Sequence, residues 1–495
     1  MSAFTTSRNI PEGSAGFFRH AWAFFSRGEK LLLVLFLITL PMINPWVRGD
    51  GVGYYAFARA LLIEHRLDFR KDWLAANDSF RLNRIDASGE ILPDQFTSTG
   101  HLDNHFSIGP AILWAPFVVT AHAAVLLADK WGASIPPDGF SWPYVYSIAF
   151  ATALYGFLAI WISFRLARKY LPEKWALLAA LGIWFGSSLP VYMYFNPSWS
   201  HAHSAFIVAL FLWYWDRTRG ARTWTQWIIL GAIGGLMMDV YYLNALVLLV
   251  PLFEVLPRFW QDWRAARGGA FARLLSQNVL FTGVIVAAFL PTVISKKIIY
   301  GSYLSFGYGD LWHWNSPAFL RVCFSSEHGL FSWTPLLLLA VAGLFFLLRR
   351  DRELGGSLLL LFVIYLYTIG CYQDWAGISS YGNRFFVSLT PVFILGLAAL
   401  FESLARFWQP RRAALIMRTA TAFFIVWNVG LIYQWGMHLI PVRGPISWRE
   451  ATYNQVAVVP VEAGRTLENY MTRRKQMMNH IEQKDVKQLK SESSQ

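Results

Sequence analysis

A single carboxylate stands where the first apolar stretch of the chain ends. Asp50 lies within the sequence Gly-Asp-Gly-Val-Gly (49–53), which follows the apolar residues 31–47. A charge at a membrane boundary is costly, and glycines let a backbone approach a ligand closely, so this position favours a functional carboxylate. There it could take the proton of an attacking hydroxyl group. The alternative is structural, with Asp50 capping a helix predicted over residues 54–66.

A second group of titratable side chains follows in the same segment. In an extended chain His101, Asp103 and His105 fall on one face, where they could bind a metal ion or orient a substrate. The alternative is ordinary loop polarity exposed to water. Asp103 precedes the apolar segment 106–127, so it could also act as a second acid or base.

Cationic side chains lie at the ends of other apolar segments. Arg384 follows a glycine turn, and its guanidinium offers a two-pronged contact to an anion. Lys296 and Lys297 end an apolar segment and offer point charges, for which snorkelling to the headgroup layer is an equally good explanation. Further candidates rest on location alone: Asp239, Glu327 and His328.

The composition predicts a protein that crosses a membrane many times. The chain has 495 residues, of which 55% are hydrophobic and only 15% charged, against about 25% charged in a soluble domain. The 24 Trp and 21 Tyr are numerous, and both residue types favour the headgroup layer. The formal net charge of +13 falls mostly in short clusters between apolar segments. It therefore indicates membrane topology and not nucleic-acid binding.

The basic clusters predict which segment ends face the cytoplasm. They stand at residues 165–169, 217–222, 258–267, 349–352 and 406–412. With spans of about 20 apolar residues and positive charges inside, they predict an all-α fold of about eleven transmembrane helices. The N-terminus would then be cytoplasmic, and residues 48–141 would form a large outer loop with interfacial helices.

Two apolar segments do not fit a simple crossing. Residues 106–127 contain prolines that interrupt a helix, and a crossing there would place the 165–169 cluster outside. We expect this segment to re-enter from the outer side or to lie in the interface, covering a site. The stretch 224–257 is too long for one crossing, so we expect a hairpin of two shortened helices with Asp239 near its tip.

The two ends of the chain differ from the transmembrane domain expected at residues 31–437. Residues 1–30 mix basic and aromatic side chains, which predicts a cytoplasmic interfacial segment. Residues 438–495 form a charged tail in which an amphipathic helix is expected. The cysteines, Cys323 and Cys371, would both lie outside, where a disulfide bond is one possibility.

Common motifs for nucleotide and structural-metal binding are missing from the sequence. It contains no GxxxxGK[ST] loop, no strand–GxGxxG–helix unit, and no CxxC or HExxH motif. A site that faces outward and binds no nucleotide needs a substrate activated in another way. A sugar on a lipid phosphate meets that need, because the lipid carries the leaving group to the membrane surface.

Together these features resemble the multi-span glycosyltransferases of the GT-C fold. The likeness rests on the acid after span one, the outer loop, the IGPAILWAP segment, the shortened hairpin and the Tyr-Gly-Asn-Arg turn at 381–384. It covers about residues 31–437 and is strongest to the bacterial branch similar to aminoarabinose and protein-mannosyl transferases. This chain departs from the pattern because no second acid adjoins Asp50, which leaves a divalent metal requirement open.

The resemblance implies a reaction at the outer, periplasmic face of a bacterial inner membrane. Members of this class use polyprenyl-phosphate sugars, and their catalytic acid falls in the first outer loop, here at Asp50. The sugar would pass with inversion to a lipid, glycan or protein of the cell envelope. The leaving phosphate would be bound by Arg384, Lys296 and Lys297.

Two other classes of function fit parts of the sequence. A transporter or lipid flippase would use Asp50, Asp239 and Arg384 as a pathway, but no inverted repeat pairs two broken helices in corresponding halves. A non-catalytic assembly partner in the membrane would tolerate replacement of Asp50.

Overall fold

A computed structural model describes residues 25–305 and 311–493 of the chain. Throughout these ranges the regular structure is helical, and no β-strand occurs there. The interfacial segment expected at residues 1–30 lies almost entirely outside the described residues. The all-α class expected from the sequence is confirmed.

Fifteen longer helices are labelled here in chain order. They are α1 (Arg27–Thr39), α2 (Asp50–Leu62), α3 (Gly109–Asp129), α4 (Trp142–Tyr170), α5 (Glu173–Phe185), α6 (His201–Thr218), α7 (Trp224–Val240), α8 (Leu249–Arg264), α9 (Gly268–Tyr300), α10 (Leu336–Arg350), α11 (Arg352–Cys371), α12 (Thr390–Phe407), α13 (Pro410–Gly436), α14 (Val459–Thr472) and α15 (Arg474–Ser493). Shorter helical turns connect them: Leu40–Met42, Arg70–Ala75, Asp78–Arg81, Pro93–Gln95, Val191–Phe195, Tyr242–Leu248, Phe319–Phe324, Leu330–Trp333, Arg384–Leu389, Trp448–Tyr453 and Asn454–Val458.

Seven described helices are long and apolar enough to cross a membrane. They are α3, α4, Tyr242–Arg264, α9, α11, Arg384–Phe407 and α13. The expected number of about eleven is therefore not confirmed. Several expected spans are helices of only 13 to 17 residues, because the chain bends or changes helix type near one end: α1, α5, α7 and α10.

Helix α3 lies along only the first half of α4. Tyr155 donates a hydrogen bond to the Leu113 carbonyl oxygen at 2.9 Å, and the His122 ring contacts the Tyr144 hydroxyl at 2.6 Å. The two helices are thus antiparallel, and α3 begins beside the middle of α4. By length and composition α3 could cross a membrane, so its re-entry from one side stays a prediction.

In the stretch 224–257 two helices meet at a turn, as expected, but only α7 is shortened, because the helical segment Tyr242–Arg264 is long enough to cross a membrane. Helix α7 ends at Val240 and the chain is helical again from Tyr242. Close packing of α7 on α9 needs Gly235, because a Cβ there would approach the Cβ of Ala288 to 2.5 Å. Asp239 is fully buried near the tip of the hairpin.

Helix α12 forms the centre of the bundle. Its residues from Thr390 to Phe401 are all buried, and it packs closely on α10 where Gly343 faces Gly396. Arg384 stands at the outer start of the same helical segment. The most rigidly packed element of the fold therefore carries one of the candidate site residues.

The outer loop has a hydrophobic cluster of its own and a buried ionic network. Phe57, Phe69 and Trp73 are each almost fully buried in that cluster. The network centres on Arg59, which donates to both oxygens of Asp72 at 2.6 Å. These contacts fix the position of α2, the helix that begins at Asp50.

The two cysteines and the C-terminal tail also have defined positions. Cys323 and Cys371 are both free thiols and both buried. The tail contains two helices, α14 and α15, where one amphipathic helix was expected. Helix α15 lies beside the residues that lead into α2, where Asp485 pairs with Arg48 at 3.1 Å.

Candidate active site

Asp50 and Arg384 form an ion pair at one end of the bundle. Arg384 Nη1 donates to Asp50 Oδ2 at 2.7 Å, although 334 residues separate the two positions. The Arg384 side chain is only 12% exposed, whereas that of Asp50 is 32% exposed. The pair therefore joins a buried cation to a carboxylate that a ligand can reach.

The glycines around Asp50 serve protein packing. Gly49 has a φ of +53°, a backbone conformation that favours glycine. A Cβ on Gly51 would overlap Ser198, and one on Gly53 would overlap Phe106. The expectation that these glycines admit a ligand to the backbone is wrong, because the chain itself fills that space.

The capping role considered for Asp50 also differs from the arrangement found. The helix begins at Asp50, and the residue at its N-cap is Gly49. The carboxylate contributes a favourable charge in the first turn, but its hydrogen bond is to Arg384 and not to the helix backbone.

Aromatic rings hold the Arg384 guanidinium in place. Its central carbon lies 4.6 Å from the centre of the Trp199 ring and 5.7 Å from that of Phe385. Its Nε is buried and has no hydrogen-bond partner among the residues that the structure describes. Stacking fixes the plane of the guanidinium and leaves hydrogen-bonding capacity unused.

Lys296 and Lys297 are not equivalent. Lys296 is buried, and its ammonium group donates to the carbonyl oxygens of Asn104 and Phe106 at 3.0 and 3.1 Å. Lys297 is exposed and donates to the Gly301 carbonyl oxygen at 2.7 Å. Lys296 thus anchors the segment that carries Asp103 and His105, whereas Lys297 caps the end of its own helix.

Asp103 and His105 lie on the same side of the molecule as Asp50. Asp103 is exposed and accepts a hydrogen bond from the Tyr300 hydroxyl. Burial lowers the pKa of His105, while the charges of Asp103 and Asp50 act in the opposite direction. The structure therefore brings three of the predicted site residues into one electrostatic group.

Arg84 belongs to this group and was not among the sequence candidates. Burial lowers the pKa of Arg84, and the nearby charges of Asp50 and Asp103 raise it. One of its guanidinium nitrogens donates to the Phe80 carbonyl oxygen at 2.8 Å. In the sequence Arg84 looks like one more charge in a polar loop, and no local pattern distinguishes it.

Among the remaining candidates, His328 lies close enough to Arg384 for that positive charge to act with burial in lowering its pKa. Asp239 accepts a hydrogen bond from the Thr292 hydroxyl at 2.6 Å inside the bundle. Glu327 lines a polar recess of about 450 Å³ together with Asp374. His328 is buried 5.0 Å from the Trp333 ring, and burial lowers its pKa to about 4.

The described side chains offer no set of ligands for a metal ion. Within residues 25–305 and 311–493, no three His, Cys, Asp or Glu side chains come together in a way that could hold one. The group formed by His101, Asp103 and His105 does not make such a set, because His101 turns instead to the Thr99 hydroxyl.

A large apolar cavity opens on the other side of residues 46–48. Its volume is about 670 Å³, within the range of small-molecule sites. Its walls come from the ends of α1 and α5 and from α13, α14 and α15. Arg48 lies at its margin, and Trp46 stacks on that arginine at 4.5 Å.

Comparisons with known proteins give a likeness in structure and none in sequence. No protein-family model matches the chain, and no curated protein matches it. Among solved structures, the chain is similar to ArnT from Cupriavidus metallidurans bound to undecaprenyl phosphate. The identity is 14%, the match covers 85% of this chain and 72% of that chain, and the TM-score is 0.46. At these values the likeness assigns neither a reaction nor a substrate to this chain.

Proposed function

We propose that this protein is a membrane glycosyltransferase of the GT-C type. It would move a sugar from a polyprenyl-phosphate carrier to an acceptor of the cell envelope at the outer face of a bacterial inner membrane. The observation that carries the proposal is the Asp50–Arg384 pair, in which a reachable carboxylate lies against a buried guanidinium. A proton acceptor beside a fixed cation suits a reaction that consumes a hydroxyl proton and releases a phosphate.

In the proposed reaction Asp50 is the general base. The proton of an acceptor hydroxyl group moves to the carboxylate, and the hydroxyl oxygen forms a bond to the anomeric carbon of the sugar. The bond between that carbon and the phosphate oxygen breaks, and the polyprenyl phosphate leaves with the electron pair. One displacement inverts the configuration at the anomeric carbon. A positioned base typically contributes roughly 10²–10⁴-fold to such a step.

The leaving phosphate needs cations close to Asp50. Arg384 has an unused Nε, and the Arg84 guanidinium lies within the field of the Asp50 charge. We assign the phosphate to these two arginines, since Arg offers the fork that matches phosphate oxygens. Lys296 would act indirectly by holding residues 104–106, and Asp103 remains a candidate second acid or base.

The proposal is tested by replacing the base. Asp50→Asn keeps the size of the side chain but removes its basicity, so transfer should fall by roughly two or more orders of magnitude. Purified protein would be offered polyprenyl-phosphate sugars and a cell-envelope extract, and both sugar transfer and free polyprenyl phosphate would be measured. Release of free carrier separates a transferase from a transporter.

Matched variants make the test decisive. Glu90→Gln changes an exposed outer-loop carboxylate and should leave transfer unchanged. Asp103→Asn asks whether the second acid contributes. Near wild-type transfer by a well-folded Asp50→Asn protein would exclude Asp50 as the base and make Asp103 the leading candidate.

A further inference from the structure

The last two helices of the chain form one wall of the apolar cavity. We call α14 and α15, residues 459–493, the C-terminal hairpin. Among its side chains, Tyr470, Met478 and Ile481 face the cavity, whose opposite wall comes from α13 and from residues 39–48. The cavity is partly open, and the docked C-terminal hairpin closes one side of it.

Polar contacts at the margin hold helix α15 in place. Asp485 contacts both Arg48 and His438 at 3.1 Å. Glu482 accepts hydrogen bonds from the Asn77 side chain at 2.8 Å and from the Ser79 backbone N–H at 2.6 Å. These two acidic side chains fasten α15 to the start of the outer loop.

The junction between the two helices is fastened separately. The Tyr470 hydroxyl donates to the Met42 carbonyl oxygen at 2.8 Å. Arg474 donates to the carbonyl oxygens of Ile43 and Pro41 at 2.5 and 2.8 Å. This end of the hairpin is bound to backbone and can serve as a pivot when the other end moves.

Little apolar surface secures α15 itself. Within its described side chains, Ile481 is the buried apolar residue and Glu482 the buried charged one. The Glu482 Oε2 atom is buried without a hydrogen-bond partner among the described residues, which costs stability in the docked state. Elements with few buried apolar contacts and exposed surfaces open at low free energy. Helix α12, buried along most of its length, shows the opposite case.

We propose that the C-terminal hairpin is a gate on the apolar cavity. Helix α15 swings about the Tyr470–Arg474 junction, and its opening admits the hydrocarbon chain of an anionic membrane lipid. The cavity is apolar enough for such a chain, and Arg48 at its margin matches an anionic headgroup once Asp485 has moved away. This gating goes beyond the proposed sugar transfer and does not depend on it.

The gate is tested by photolabelling in vesicles. The vesicles contain phosphatidylglycerol with a photoreactive diazirine on its acyl chain, and labelled cavity residues are identified by mass spectrometry. The double variant Glu482→Gln/Asp485→Asn should label several-fold faster than wild type, because two of the polar anchors of α15 are weakened. Lys487→Gln changes an exposed charge on α15 that is not one of these contacts and should not change the rate.

A reversible cross-link gives a second, independent readout. Asn77→Cys and Glu482→Cys are joined by a short cleavable bismaleimide in a background lacking Cys323 and Cys371. Cavity labelling should be lost in the linked protein and should return in the same sample when the linker is cleaved. Equal labelling in all forms, or no cavity labelling in any form, would overturn the proposal. Sugar transfer is not measured, so failure of the glycosyltransferase assignment would be seen separately.

Discussion

Two buried arginines in this protein are paired in different ways. Arg59, in the outer loop, uses Nε, Nη1 and Nη2 in hydrogen bonds to carboxylates, two of them to Asp72 and one to Glu64. Arg384, at the start of the central helix, has its ion pair with Asp50 through Nη1, and its Nε is without a partner among the described residues. Asp72 is 3% exposed, whereas Asp50 is 32% exposed.

This difference distinguishes an ion pair that stabilises the fold from an ion pair whose groups can bind a ligand. Because all three nitrogens of Arg59 already donate to carboxylates, the Arg59 network stabilises the loop. Arg384 is held both by its ion pair with Asp50 and by the aromatic ring of Trp199, and its Nε remains a donor without a partner among the described residues. The two pairs should therefore respond differently to mutation.

The largest effect is expected at Arg59. Arg59→Met leaves the Asp72 carboxylate buried without its partner, which typically costs about 3–5 kcal/mol. The outer loop should unfold or become protease-sensitive, and thermal unfolding of the purified protein in detergent would measure the loss. Arg66→Met removes a neighbouring but exposed arginine and is the matched control. Unchanged stability in Arg59→Met would show that the network is not structural.

A smaller effect, on activity and not on stability, is expected at Arg384. Arg384→Lys keeps the charge but loses the planar fork and its stacking on Trp199, so use of the lipid-phosphate donor should fall by about 10-fold or more. The rate would be measured against donor concentration at a fixed acceptor concentration. Arg321→Lys, at an exposed outer position, serves as the control. If Arg384→Lys instead lowered the stability of the protein and left donor use unchanged, Arg384 would be a structural residue like Arg59.

Much of the transmembrane architecture is readable from the sequence because its signals are local. Apolar length and flanking basic clusters predict the all-α class, and the length of the stretch 224–257 predicts the hairpin of α7 and α8. Asp50 and Arg384 each stand out for the same local reason, as charges at the ends of apolar segments. Their pairing across 334 residues depends on packing and is not a property of either segment.

Other features depend on tertiary contacts that leave no local pattern. Arg84 lies in a loop rich in charge, and only the folded loop brings it near Asp50. Glycine is needed beside Asp50 because Ser198 and Phe106, which belong to distant segments, occupy the space that a Cβ would take. Helix α15 is charged along most of its length, and the few apolar residues that predict an amphipathic helix there do not indicate that it docks against residues 77–79.

The smallest effect in this comparison concerns Glu64, the outermost member of the Arg59 network. Burial acts to raise its pKa, but hydrogen bonds from Lys71 and Arg59 outweigh that and lower the pKa to about 2. An acid whose pKa is lowered by folding stabilises the folded state above its ordinary pKa, and this stabilisation is lost as the pH falls toward the folded value. Because several partners of Glu64 are exposed, we expect its contribution to be about 1 kcal/mol or less at neutral pH.

Wild-type protein should therefore be slightly more stable than Glu64→Gln at pH 7, and the difference should shrink between about pH 4.5 and pH 2. Limited proteolysis of the outer loop across that range would measure it, and a difference between the two proteins that does not depend on pH would show that Glu64 acts by packing and not by charge.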